Sequence, residues 1–365
     1  MTSAPRIAGR RRGGFTLVEL LVAAALCVVI MTVLAVSFRS GMDTLSQMKT
    51  VGDLTDKLRA AEVVLQNDLA AYHLEDETGL PVRVSDRTVN RKWDGTNRGW
   101  TGAQQKKGFF RVSQGSPPKA VPGASYPVGV PPYPAGLSTG GPTDGYLWEG
   151  WLASEGLHYM RANDHRLSFT VRLSGLSDKD AFTVTAPTAV STDANLRNGL
   201  APADSLSSNW AEVAYFMDRP TSLPATVGGV PLFTLMRRQR VIAQTTPANA
   251  STALAPGSVD LSITNTPTAG TLNTPLSITN LANRVPLTRL TGADEGEDVL
   301  LSNVVSFQVQ VLKNDDVEFT DVPNLTWDSA TQPAALTRIR GVQIRLRVYD
   351  VRNAVTRQMT IQQDL

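Results

Sequence analysis

From Phe15 to Phe38 the chain runs through apolar and small residues around a single ionised side chain, Glu19, directly after the run Arg10-Arg11-Arg12. As a helix rising about 1.5 Å per residue, this stretch is long enough to cross the ~30 Å hydrocarbon core of a bilayer. A secretory signal peptide would have a shorter apolar core followed by a small-residue cleavage site. Here Arg39-Ser40-Gly41-Met42-Asp43 continue a helical pattern instead. The cationic leader holds the N-terminus on the cytoplasmic side, so everything after Phe38 is expected to face outward.

A plain anchor has no use for Glu19. A carboxylate within the bilayer is costly and marks a functional position; the alternative is a glutamate that snorkels to the cytoplasmic interface. The run Gly13-Gly14-Phe15-Thr16-Leu17-Val18-Glu19 behind its arginines resembles the class III leader of type IV pilins and of type II secretion pseudopilins. That resemblance implies cleavage after Gly14 by a prepilin peptidase and N-methylation of Phe15 as the first mature residue. It also makes Glu19 the family's intramembrane carboxylate. In a filament, Glu19 would pair with the Phe15 amine of a neighbouring subunit, relieving the desolvation of both charges.

Residues 1–14 contain Arg6, Arg10, Arg11 and Arg12 and no acid, so their removal takes the formal charge from +2 to 2 − 4 = −2. The mature chain then has no overall bias toward nucleic acid, and no nucleic-acid partner is expected. The single cysteine, Cys27, lies in the span, so no disulfide can form within one chain and the outer part has no thiol chemistry. The 365 residues suffice for one or two domains with a core that needs no covalent staples.

Beyond the span, Leu54, Leu58, Ala61, Leu65, Leu69 and Tyr72 recur at three- and four-residue spacing opposite Asp53, Asp56, Lys57, Glu62 and Gln66. This predicts a helix continuing to about Tyr72, with Gly41 and Gly52 as weak points. From Gly79 the pattern changes to strand-like runs at 109–112, 146–152, 167–173, 212–217, 232–242, 304–312 and 339–348. Residues 113–145 are rich in proline and glycine, residues 245–283 in threonine and asparagine, and 186–209 form a further polar stretch. The expected division is a leader (1–14), a transmembrane helix (15–38), a helical stem (39–76) and a β-rich domain (77–365) with loop insertions at 113–145 and 245–283. The expected class is α+β: a long N-terminal helical stem packed on an antiparallel, β-rich, pilin-like domain.

Several outer segments resemble the J-type minor pseudopilin. They are Gln66-Asn67-Asp68-Leu69 in the stem, the strand pair at Glu212–Phe216 and Leu232–Arg238, Leu300–Phe307, and a final strand at Ile339–Val348. The resemblance implies a minor subunit at the tip of a periplasmic filament. Its partners would be prepilin peptidase, other minor and major pseudopilins, and the inner membrane.

Candidate catalytic groups are few. Gly136-Leu137-Ser138-Thr139-Gly140 matches G-x-S-x-G but lies in the proline-rich loop, without the strand-to-helix turn the motif requires. His158, Asp164 and His165 read as polar positions near a turn, since zinc would want cysteine or tighter histidine spacing. Asp294-Glu295-Gly296-Glu297-Asp298 lacks the ligand alternation of an EF-hand; it reads as a solvated acidic turn, with calcium as the other reading. Arg237-Arg238-Gln239-Arg240 is the one compact basic run, and strand alternation puts its arginines on both faces of what reads as a solvated edge strand. No catalytic residue, metal or cofactor is expected. The reading is a secretion pseudopilin, with a minor pilin for adhesion or DNA uptake as the alternative and an anchored enzyme a distant third.

Overall fold

The computed structural model describes residues 16–76, 79–85, 91–93, 100–102, 107–114, 162, 165–174, 181–185, 205–218, 226–227, 230–245, 260–264, 270–285, 297–313, 316–322, 326–330, 338–351 and 355–365. By its internal contacts the chain divides into two units, Met1–Thr55 and Asp56–Leu365. Helix α1, Leu17–Ala70, is 54 residues long and contributes to both.

In the first unit every described side chain from Thr16 to Lys49 is exposed, large apolar ones included. An exposed helix this apolar through residue 38 is compatible with anchoring in a membrane. Its hydroxyls are satisfied internally: Thr32 donates to the Val28 carbonyl at 2.7 Å and Ser37 to that of Val33 at 2.9 Å. This is how polar side chains are accommodated in hydrocarbon. The helix passes through Gly41 and Gly52 without a break.

In the second unit α1 becomes one-sided. Leu58, Ala61, Leu65 and Leu69 are buried, at the three- and four-residue spacing that keeps one face inward. The helix ends at Ala70, two residues short of the expected boundary. His73 follows, with Nε2 3.2 Å from the Leu69 carbonyl and Nδ1 2.7 Å from the Thr170 carbonyl.

The main sheet has eight strands, numbered here in chain order. They are β1 (Phe110–Ser113), β2 (Arg166–Arg172), β3 (Trp210–Asp218), β4 (Phe233–Val241), β5 (Glu297–Lys313), β6 (Thr326–Asp328), β7 (Ile339–Asp350) and β8 (Val355–Asp364). Their spatial order is β6-β1-β2-β3-β4-β5-β7-β8, and every neighbouring pair is antiparallel. The sheet is thus a meander, except that β6, in the connection between β5 and β7, crosses to the far edge beside β1. A helix followed by an antiparallel sheet agrees with the α+β expectation.

Alternation gives the sheet two different faces. Register partners Phe110, Phe169 and Val213 share one face with Tyr215, which reaches α1. Phe110 and Phe169 stack there at 5.4 Å between ring centres. On the other face Asp328, Arg111, Ser168, Ala214, Arg238 and Glu297 form one row across six strands.

Four outcomes differ from expectation. The arginines of β4 do alternate between faces, but β4 is an interior strand and Arg238 and Arg240 are buried. Arg238 pairs with Glu297 at 3.3 Å, and Glu212 lies opposite Arg240 in the register. The acidic cluster is not wholly a turn, because Glu297 and Asp298 begin β5; Asp294 and Glu295 lie outside the described residues. The Thr/Asn-rich segment is ordered where it is described: Leu261 and Leu272 pack with Leu206, Val241 and Ala243. Arg284, at its end, pairs with Asp328 at 2.5 Å and lies 3.8 Å over the Phe109 ring. Finally, Ile339–Val348 is not the last strand, since β8 follows it.

Three expected outcomes follow from this packing. Gly108 has φ +78°, and a Cβ there would sit 2.2 Å from the His73 carbonyl oxygen and 2.6 Å from Thr170 Oγ1. Gly108→Ala should therefore lower unfolding free energy by about 3 kcal/mol or more, measured by urea unfolding of the full chain in detergent. Asp68→Ala strands the Arg237 charge and should cost about 3 kcal/mol in the same assay, with Asp68→Asn intermediate. The third concerns Glu212, which accepts from Ser262 Oγ at 2.7 Å and from the Val285 amide at 3.3 Å.

Burial raises the Glu212 carboxyl above its ordinary value of 4.5, and Arg238 with the two hydrogen bonds reverses this only in part. The folded state then keeps that proton to higher pH than the unfolded chain. The group's contribution is most favourable below the unfolded value and is lost as pH rises through the folded one. Glu212→Gln, which cannot ionise, should gain stability relative to wild type as pH rises from about 4 to about 7, read from paired unfolding midpoints.

Candidate assembly site on the N-terminal helix

Gly14 and Phe15, the expected cleavage and methylation positions, lie outside the described residues. Glu19 lies in the first turn of α1, fully exposed, and is held by Thr16. The Thr16 amide donates to Glu19 Oε2 at 2.9 Å, the Thr16 hydroxyl donates to the same oxygen at 3.0 Å, and the Glu19 amide donates back to Thr16 Oγ1 at 3.3 Å. The Leu20 amide meets the Thr16 carbonyl at 3.2 Å. This is a reciprocal capping box, Thr-x-x-Glu, closing the orphan amides at the start of a helix. The pattern Thr16-Leu17-Val18-Glu19 is its signal in the sequence. Chemically, the cap gives the Glu19 carboxylate a defined position beside the helix start, turned back to Thr16. A charge inside hydrocarbon gains from each such donor.

Among the described residues one helix, α1, is long and apolar enough to cross a membrane, by length and composition. Cys27 is exposed on it. Of the five stem and strand segments that carried the J-type resemblance, two strands and the stem acid meet at one point. Asp68 of α1 receives Arg237 Nε at 2.8 Å and Nη2 at 3.1 Å, together with a short hydrogen bond from the Tyr215 hydroxyl. Tyr215 and Arg237 are register partners on β3 and β4. Burial and then the Asp68 carboxylate push the Tyr215 hydroxyl well above its ordinary value. Burial pulls Arg237 down, but the hydrogen bonds and charge of Asp68 outweigh it and the guanidinium ends above its usual range. The group is therefore an ion pair with a neutral phenol across it, suited to joining helix and sheet.

The remaining candidates do not converge. His158 and the Gly136–Gly140 segment lie outside the described residues. His165 is buried and accepts at Nδ1 from the Val309 amide at 3.0 Å. His73, also buried, is walled by Phe110 and Phe169, and burial lowers its pKa ahead of the opposing Thr170 and Leu69 carbonyls and the Asp68 charge. Among the described residues no group of three or more His, Cys, Asp or Glu side chains is placed to hold a metal ion.

The family model described as the prokaryotic N-terminal methylation motif matches residues 9–35. No curated protein and no solved structure matches the chain. The matched residues run from the arginine cluster through Gly14, Phe15 and Glu19 into α1. A motif of this kind supports a type IV pilin-like protein, processed by a prepilin peptidase and assembling with pilin-like partners.

Thr16→Val keeps the shape of the side chain and removes its hydroxyl. It should weaken the helix start by about 1 kcal/mol and speed hydrogen exchange at the Glu19 amide roughly fivefold in detergent micelles.

Proposed function

We propose that this chain is a J-like minor pseudopilin of a type II secretion system, cleaved after Gly14 and methylated on Phe15. It is held in the inner membrane by α1 with its N-terminus cytoplasmic, and its second unit lies in the periplasm. The observation that carries this reading is the prepilin-type motif of residues 9–35 joined to an anchor helix whose apolar side chains are exposed all round. Such a helix is stable in lipid, and can leave it only for the company of similar helices. Glu19 then sets the register between subunits by meeting a neighbour's Phe15 amine, and the Thr16 cap holds its carboxylate in place until that contact forms.

The size of the second unit supports a tip subunit. A helical shaft packs every subunit against neighbours on all sides, whereas an eight-stranded sheet with added layers fits best where one end is free. The meeting of Asp68, Tyr215 and Arg237 supports the J-type assignment, because it joins segments on which that resemblance rests. In this reading the protein works through surfaces and not through a catalytic centre, and it needs no cofactor.

The test is a strain lacking this chain, complemented with wild type or with Glu19→Leu. Protein export should be lost in the deletion, restored by wild type and not by Glu19→Leu, with surface pili unaffected. Loss of surface pili, adhesion or DNA uptake with export intact would assign the chain to a type IV pilus instead.

A further inference from the structure

The charged face of the main sheet is not matched throughout. Over β3, β4 and β5, Arg238 pairs with Glu297, and Glu212 lies opposite Arg240. Over β6, β1 and β2 the register sets Arg111 between Asp328 and Ser168, and Ser113 between Thr326 and Arg166. Residues two apart on a strand share a face, so Arg111, Ser113, Arg166 and Thr326 lie on one patch with Asp328. Arg111 and Arg166 are diagonal neighbours across two strands, about 7 Å apart at Cβ, and both side chains are long enough to converge on one ligand. All four are half-buried.

Asp328 is already taken. Its Oδ2 pairs with Arg284 Nη1 at 2.5 Å, and its Oδ1 accepts from Arg284 Nη2 at 3.3 Å and from the Ala330 amide at 3.0 Å. Arg284 is fixed there by the Ile278 and Thr279 carbonyls, each at 2.9 Å, and by the Phe109 ring. Arg111 Nε is enclosed without a hydrogen-bond partner, and among the described residues the guanidinium forms no ion pair. Burial pulls that guanidinium below its ordinary value; Asp328 opposes this, and the Arg284 and Arg166 charges add to it. An enclosed donor without an acceptor and a cation set beside cations both cost free energy, which an anion at this spot offsets.

We infer that this patch is a binding site for a phosphate-type oxyanion, held by Arg111 and Arg166 with the hydroxyls of Ser113 and Thr326 beside them. A guanidinium grips two oxygens of such an anion side by side. A planar carboxylate offers just those two, whereas a tetrahedral oxyanion keeps others for the second guanidinium and the hydroxyls. The site lies wholly within the second unit and does not depend on the processing of α1.

Inorganic phosphate, titrated into the full chain in detergent at constant ionic strength, should bind saturably and raise the thermal midpoint, while acetate should do neither. Arg111→Gln should weaken phosphate binding at least about tenfold, the loss of one charge-assisted contact. Without phosphate the same variant should leave the midpoint unchanged or raised, because it removes a cation from beside two others. Ser113→Ala keeps every charge and should weaken binding severalfold, which decides the matter if Arg111→Gln fails to fold. Ethyl phosphate bound as tightly as phosphate would make the natural ligand a phosphoryl ester on a larger molecule, and its exclusion would make it free phosphate. Phosphate bound no tighter than acetate, or bound with the same affinity by Arg111→Gln and Ser113→Ala, would overturn the inference.

Discussion

Asp68 reaches from α1 to the guanidinium of Arg237 and the hydroxyl of Tyr215, and the layering of the outer unit depends on that contact. The leucines beside it supply most of the apolar burial, but leucines on a helix can slide along a sheet at modest cost. A bidentate carboxylate–guanidinium pair cannot, because a displacement of a few ångströms leaves two charges half-buried and unmatched. Leu65 and Leu69 hold the helix on the sheet, and Asp68 determines where. With the helix fixed on one face, the other face of β3 and β4 is free to carry Glu212, Arg238 and Arg240, which the segment around Ser262 and Val285 then covers.

One helix therefore meets two environments. Up to residue 49 its described side chains are exposed around the full circumference, and from Leu58 they are buried on one side. The first half asks for lipid or sister helices and the second for a sheet. The membrane-anchored filament subunit proposed above would offer both. The capping box of Thr16 and Glu19 fits the same demand, since it gives a lone carboxylate hydrogen-bond partners from within its own chain.

Much of this architecture was legible in the sequence, for reasons that differ by element. Seven residues of β2 and nine each of β3 and β4 are largely buried, so their β-branched and aromatic runs stood out. β8 was missed because an edge strand that buries little beyond Ile361 looks like polar linker, and β6 because three residues carry no periodicity. The arginines of β4 were assigned correctly to alternate faces and wrongly to solvent. Their partners Asp68, Glu212 and Glu297 are distant in sequence, and no local pattern announces a buried charge that is matched from afar. The Thr/Asn-rich segment misled for a related reason: Asn273 and Ser277 satisfy Ser262, Asn283 and one another, so polar composition became structure instead of loop. At the candidate site Glu19 was legible from its depth in an apolar stretch, whereas its bond to Thr16 was present as a pattern and outweighed.

The central proposal is that α1 is the processed stem of a filament subunit and not a simple anchor. Intact mass and N-terminal sequencing of the protein from membranes, with and without prepilin peptidase, test it most directly. The expected product is a chain beginning at Phe15 and carrying one added methyl group, formed only when the peptidase is present. An uncut chain, or one cleaved elsewhere, would contradict it.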